Sequence, residues 1–246
     1  MKFVFDLDGT VCFKGKPLSE EILSAFQQLE ADGHDVVIAS ARPIRDIYPV
    51  LPKHYHQLQM VGGNGAFLFN GEKIQLQPFT EDTQNALFDL INNHNIPYLL
   101  DSSWDYSYNG SEEHPIFNQL DQMSLAENLP KEQLDGIVKC VLFTNEQSII
   151  DAISQLECVI HIHSNEAILD ISPVGVHKFQ GLNELGIKKG QYIAFGNDQN
   201  DRQMLQHALE SVCVGDDVSI GALATSICEA TNVAEKIRML SSKYKK

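Results

Sequence analysis

The sequence predicts an α/β fold: a parallel sheet flanked by helices, interrupted by an inserted α+β module. Short, wholly apolar strands alternate with amphipathic helices near the N-terminus, "KFVF" and "VVIA" among them, which is the pattern of strands buried on both faces. Asn70-Gly71 then sits between two strand-like runs in "GAFLFNGEKIQLQ", a two-residue hairpin signal that cannot continue a parallel sheet. Strand and helix alternate again only after "SPVG".

In chain order, "KFVFDLDGT" reads as a buried strand ending in a glycine turn. "SEEILSAFQQLEADG" follows as a helix, with Ser19 as N-cap, Ile22, Phe26 and Leu29 at helical spacing, and Gly33 as the stop. "DVVIAS" is the next strand. The inserted module begins with a helix over Thr83–Asn93 and a strand over Ile96–Leu100, followed by an irregular polar stretch. A strand over Ile137–Phe143, a helix over Glu146–Leu156 and the neighbouring strands "VIHIHS" and "AILDIS" complete it. The returning part predicts a helix over Phe179–Leu185, a strand over Tyr192–Phe195, a helix over Asp201–Leu209, a strand over Val212–Val214 and a helix over Val233–Leu240. The expected domains are therefore 1–79 with 176–246, and 80–175.

The 246 residues suffice for a core and an insert, and no apolar run reaches the length of a membrane span. With no completed secretory signal in "MKFVFDLDGT", the expected location is the cytoplasm. A formal charge of -15 repels nucleic acid and anionic membranes and leaves a small molecule as the expected partner. Five scattered cysteines without a CxxC pair suggest neither disulfides nor a zinc site. The short "KYKK" tail reads as a solvated end.

Chemistry concentrates at predicted strand ends, where ligands bind in open α/β sheets. In "FDLDGT", Asp6 and Asp8 lie two apart and can project from one edge while Gly9 turns the backbone. An Asp-Gly turn accounts for Asp8 and Gly9 but not for the apolar strand that delivers Asp6 to the same place. Ser40 closes "VVIAS", Lys178 follows "PVGVH", and "FGNDQND" (195–201) packs amides and acids behind a third apolar strand.

Taken together, "DLDGT", Ser40, Lys178 and "GNDQND" resemble the four motifs of the haloacid dehalogenase (HAD) superfamily, in order and across essentially the whole chain. The insert resembles the large α+β (type IIB) cap of the Cof-like subgroup on a Rossmann-like core. The resemblance implies a Mg²⁺-dependent phosphatase acting on a small phosphorylated metabolite, a sugar phosphate or similar, through an aspartyl-phosphate. It implies that Asp6 is the nucleophile and that Asp8 is the general acid and base, its carbonyl also holding Mg²⁺. Thr10 is expected to position Asp8, Ser40 to donate to a phosphoryl oxygen, and Lys178 to link nucleophile and phosphate. Read alone, Ser40 serves equally well as a helix N-cap for "SARPIRDIY".

Two departures from the family pattern stand out. Phe179 follows Lys178 where the family commonly has glycine, and Asn197 stands where its fourth motif has a metal-binding aspartate. Either Asn197 ligates through its amide oxygen or Asp198 takes over, with Asp201 as an outer anchor and Asn200 close to the phosphate. As helix caps, the same residues need no metal. Asn64 and Gly65 in "GGNGA" resemble a loop beside the substrate, and Arg42 is placed to reach a substrate oxygen.

His161 and His163 on one strand face lack a third metal ligand, and the Trp104, Tyr106, Tyr108 alternation reads first as a packed face, second as a sugar platform. The rival functions are a phosphomutase of the same superfamily and a catalytically weak phosphometabolite-binding protein, for which Asn197 is the hint. The oligomeric state is not legible in the chain.

Overall fold

The computed structural model describes residues 1–163 and 166–245; Ser164, at the end of the expected strand "VIHIHS", and Lys246 in the basic tail lie outside the described residues. The chain divides into two compact units, Met1–Ile74 with His177–Lys246, and Gln75–Val176.

The first unit opens with β1 (Lys2–Phe5), α1 (Glu20–Ala31) and β2 (Asp35–Ala39), continues through the short α2 (Ile44–Ile47) to β3 (Gln59–Gly62), and turns back through β4 (Phe67–Phe69) and β5 (Ile74–Leu76), which crosses the division. Ser19 caps α1 by accepting from the Ile22 amide, as its sequence signature implies. The turn between β4 and β5 is closed by Asn70, whose side chain accepts from the Glu72 and Lys73 amides.

The second unit contains α3 (Glu81–His94), β6 (Tyr98–Asp101), β7 (Tyr106–Tyr108), β8 (Lys139–Leu142), α4 (Gln147–Ile153), β9 (Cys158–His163) and β10 (Ile168–Pro173). Its strands form an antiparallel sheet in the order β7-β6-β8-β10-β9. Helix residues Leu87, Ile91, Ile149 and Ile153 pack on Leu100, Cys140, Leu142 and Ile171 of one face. The stretch after Leu100, read from sequence as irregular, contains β7. The Trp104, Tyr106, Tyr108 alternation has a strand's period, and pairing with β6 fixes which three residues form one. Tyr108 of β7 belongs to an apolar cluster with Leu99, Leu120 and Val141, and the Trp104 indole donates to the Leu125 carbonyl. Among the described residues no group of three or more His, Cys, Asp or Glu is arranged to hold a metal, His161 and His163 included.

The chain then returns with α5 (Lys178–Glu184), β11 (Tyr192–Gly196), α6 (Arg202–His207), β12 (Glu210–Val214), α7 (Val218–Gly221), β13 (Ser226–Cys228) and α8 (Val233–Tyr244). The helix expected over 201–209 is a 3₁₀ turn over Gln199–Asp201 followed by the shorter α6, because the acids and amides before it close a local turn of their own. The sheet runs β13-β12-β11-β1-β2-β3-β4-β5, parallel from β13 to β3. Both faces are covered. Phe3 and Phe5 are fully buried on one side, where Phe5 meets Phe26 of α1 at 4.7 Å and Phe195 at 4.9 Å. Val4, Val37 and Ala194 pack with Leu182, Met204 and Leu205 of α5 and α6 on the other. The chain proceeds outward from β1 in both directions, so the carboxyl ends of β1, β2 and β11 form a topological switch point. No helix among the described residues is long and apolar enough to cross a membrane.

Candidate active site

Asp6 directly follows β1, Ser40 follows β2, the Gly63–Gly65 turn follows β3, and Asn197 follows β11. Parallel pairing in register therefore brings four sequence-distant segments to one sheet edge. Lys178 joins them from the first turn of α5 and is fully buried.

Lys178 is the hinge of the electrostatics. Its Nζ donates to Asp6 Oδ1 and to Asp201 Oδ1, each at 2.7 Å. Burial alone would lower its pKa, but the two carboxylates more than offset this and hold the ammonium above the ordinary lysine value. Burial and the charge of Asp201 push the Asp6 carboxyl up to about 7, and Lys178 reverses only part of that rise. One cation shared by two buried acids leaves the site short of positive charge.

Asp201 is fully buried, and its second oxygen accepts from the Asn197 and Asp198 amides at 2.9 and 3.2 Å, fixing the turn behind β11. Gly196 permits this approach, since an added Cβ would stand 2.7 Å from the Asp201 carboxyl. Asp198 faces outward and caps the 3₁₀ turn, accepting from the Gln199 amide at 2.6 Å.

Thr10 corrects an expectation. It is buried, and its hydroxyl donates to Asp6 Oδ2 at 2.8 Å; it orients the proposed nucleophile and not Asp8. That bond commits its single hydrogen, so its oxygen is left as an acceptor. The Asn197 amide accordingly presents its nitrogen, which lies 3.1 Å from each of Thr10 Oγ1, Asp6 Oδ2 and the Asp8 carbonyl oxygen. Gly9, at φ +82°, leaves room for that side chain beside it.

Asp8 is half exposed and is gripped by Arg42, with Nε to Oδ2 at 2.7 Å and an Nη to Oδ1 at 2.6 Å. Arg42 is itself held by the Asp46 carbonyl at 3.2 Å. The arginine expected to reach a substrate oxygen is thus forked onto the neighbouring acid. A bidentate partner 34 residues away carries no sequence signal. Ser40 Oγ accepts from the Arg42 amide at 3.1 Å, which leaves its hydrogen available to donate. It does not cap the following helix, which starts at Ile44 behind Pro43.

Asn64, in the left-handed region at φ 58°, lies 3.2 Å from Asn200 as its hydrogen-bond acceptor. Its amide donates to the Ser40 carbonyl at 3.0 Å, so the expected substrate loop is tied to the second motif. Gly65 abuts the backbone of His177, where an added Cβ would meet the carbonyl oxygen at 2.7 Å. His177 was not singled out by sequence, yet it caps α5 by accepting from the Gln180 amide and so sets the start of Lys178's helix. Histidine is not a strong capping type, so no motif marks it. Phe179, in the family's glycine position, packs edge-on against His207 at 4.1 Å.

The donor set suits a hard divalent cation. Asp6 Oδ2 and the Asp8 carbonyl face a common point at the end of the Asn197 amide, which also carries an oxygen. Asp6 is the only carboxylate among these three groups.

A profile of the haloacid dehalogenase-like hydrolases matches residues 3–233. The chain belongs to that family. Relatives that it matches over most of their length are named phosphatases. It is 26% identical to the 5-amino-6-(5-phospho-D-ribitylamino)uracil phosphatase YitU of Bacillus subtilis (strain 168), over 97% of this chain and 95% of that protein. It is 23% identical to the HMP-PP phosphatase of Serratia proteamaculans (strain 568), over 86% and 82%. Its fold resembles that of a HAD subclass IIB sugar phosphatase, with a TM-score of 0.79 at 19% identity, over 99% of this chain and 98% of that chain.

Proposed function

We propose that the protein is a Mg²⁺-dependent phosphomonoesterase for a small phosphorylated metabolite, working through an aspartyl-phosphate on Asp6. The observation that carries this reading is the buried Lys178, 2.7 Å from both Asp6 and Asp201 at the sheet edge that also presents Ser40. A pure binding protein has no need of a carboxylate nucleophile buried against a lysine, with both of its oxygens held. This arrangement therefore favours catalysis over a decayed binder.

Asp6 attacks phosphorus in line with the leaving oxygen, and the bond from phosphorus to that oxygen breaks. Lys178 and the Ser40 hydroxyl stabilise charge on the phosphoryl oxygens. Asp8 gives a proton to the departing alcohol, then takes one from the water that cleaves the acyl phosphate, returning Asp6 as a carboxylate with release of phosphate. Acting as donor requires Asp8 to leave the Arg42 fork, which frees the guanidinium for an anionic oxygen. Asp6, the Asp8 carbonyl and Asn197 are the residues that would hold Mg²⁺, which supplies positive charge to offset that of the nucleophile and phosphoryl group. Asn64, Gly65 and Asn200 form the wall beside this edge, and Asp201 anchors it from behind.

The test is phosphate release from a panel of phosphorylated sugars, nucleotides and cofactor precursors, with and without Mg²⁺. The name of the Bacillus relative makes a phosphorylated ribitylaminouracil the first compound to include. Metal-dependent release that disappears in Asp6→Asn is the expected result. Release unchanged in that variant, or none from any compound, sinks the reading.

A further inference from the structure

We propose that the Asn197 side-chain amide is a built-in substitute for the cation: its nitrogen ties Asp6 to the Asp8 carbonyl, and the amide turns by half a rotation to offer its oxygen when a divalent cation enters. This rests on the metal-dependent reading above but concerns a residue at which this chain departs from the family's aspartate.

The argument is one of donors and acceptors. Asp6 Oδ2, the Asp8 carbonyl and Thr10 Oγ1 all lie 3.1 Å from one terminal atom of Asn197. The Thr10 hydrogen is already given to Asp6 Oδ2, so with Asp6 ionised all three groups are acceptors toward that point. An aspartate there would place a further acceptor, and a second negative charge, against the ionised Asp6 and two oxygens that have no hydrogen to share. Such a site is frustrated until a cation fills it. An amide nitrogen brings two hydrogens and no charge to the same three oxygens.

The space around the side chain agrees. A Cβ on Gly9 would collide with the Asn197 amide, so the turn residue leaves this side chain its place between the first and fourth motifs. Asp198, the neighbouring acid, faces outward and caps the following turn with Oδ1.

Two consequences follow from one cause. The first and fourth motifs stay assembled without a cation, and cation binding is weakened, because the inward hydrogen bonds must first be broken and one carboxylate charge is missing. Replacing the amide by a carboxylate should reverse both.

The experiment compares wild type with Asn197→Asp by calorimetric titration with MgCl₂ and by thermal unfolding with and without the metal, using no substrate. The expected result is a Kd at least ~10-fold lower in Asn197→Asp, a lower Tm than wild type without metal, and a larger rise in Tm on adding Mg²⁺. A variant that is unfolded in chelator but folds with Mg²⁺ supports the proposal equally. Equal affinities, or a metal-free Tm at or above that of wild type, overturn the amide substitution while leaving the phosphatase reading intact. If neither protein binds Mg²⁺, both readings fall. A second measurement needs only wild type: hydrogen exchange of the assigned Asn197 side-chain NH₂ should be protected without metal and accelerate when Mg²⁺ saturates. Exchange unchanged by Mg²⁺ counts against the rotation.

Discussion

Lys178 is the side chain on which the candidate site depends most, because it neutralises two buried acids at once. Its replacement by methionine leaves Asp6 and Asp201 facing each other without a cation. Removing one partner of a buried ion pair costs about 3–5 kcal/mol. Lys178→Met should therefore lower the urea midpoint by a corresponding amount and abolish turnover; a variant as stable as wild type would show that the acids are neutral without it. Ser40 makes the contrasting case. The hydroxyl accepts one backbone hydrogen bond and its proton is uncommitted, so Ser40→Ala should leave the unfolding midpoint nearly unchanged. If that proton serves a phosphoryl oxygen, kcat should fall by about 100-fold, the scale for loss of one donor to a developing charge. An unchanged kcat would reduce Ser40 to a structural role.

Among the elements, the turn over Gly63–Gly65 links β3 to the start of α5 and so couples the substrate wall to the lysine. Gly65 has φ +122° and backbone of His177 against its missing side chain. Gly65→Ala meets both a strained conformation and a collision with atoms that cannot rotate away. The expected cost is about 1–3 kcal/mol, with a fall in kcat because the first turn of α5 must shift. Gly186 offers the control, since it too has positive φ, +81°, but nothing lies within 4 Å of an added Cβ. Gly186→Ala should destabilise through backbone strain by about 1–2 kcal/mol while preserving kcat. Equal effects on kcat from the two substitutions would show that the collision at His177 does not reach the site.

At the scale of the whole chain, its C-terminal helix α8 packs beside α1 near the N-terminus and is tied down by acids of the first unit. Asp32 pairs with Lys245 at 2.6 Å and accepts from Ser241 at 2.6 Å, and these contacts hold its carboxyl below the ordinary range, Lys245 contributing most. For Glu210 burial acts upward, yet Lys243 and Tyr244 leave it lowered as well. A carboxyl whose folded pKa lies below its unfolded value binds protons more readily when unfolded. Its stabilisation is therefore complete above the ordinary carboxyl pKa of about 4 and is lost as pH falls through the folded value. Asp32→Asn, neutral at every pH, should lower Tm near neutrality and flatten the decline of Tm on acidification below about pH 4. A variant whose acid limb runs parallel to that of wild type would show that this contact does not couple to pH.

The sequence by itself determined the parallel core, the hairpin that ends its first half and the order of the four motifs. Apolar runs and turn residues are local, and each of Asp6, Ser40 and Asn197 follows such a run directly. Tertiary structure alone decided which side chains pair. Asp8 with Arg42, Thr10 with Asp6 and not Asp8, and Asp198 as a cap are all contacts set by sheet register and by competition for donors. The same holds for Asn197: the chain shows an amide where an acid is usual, but only the fold brings Asp6, the Asp8 carbonyl and Thr10 to within 3.1 Å of its nitrogen. Hydrogen-bond polarity is a property of the assembled site, where a single hydroxyl hydrogen on Thr10 settles which way its neighbour must face.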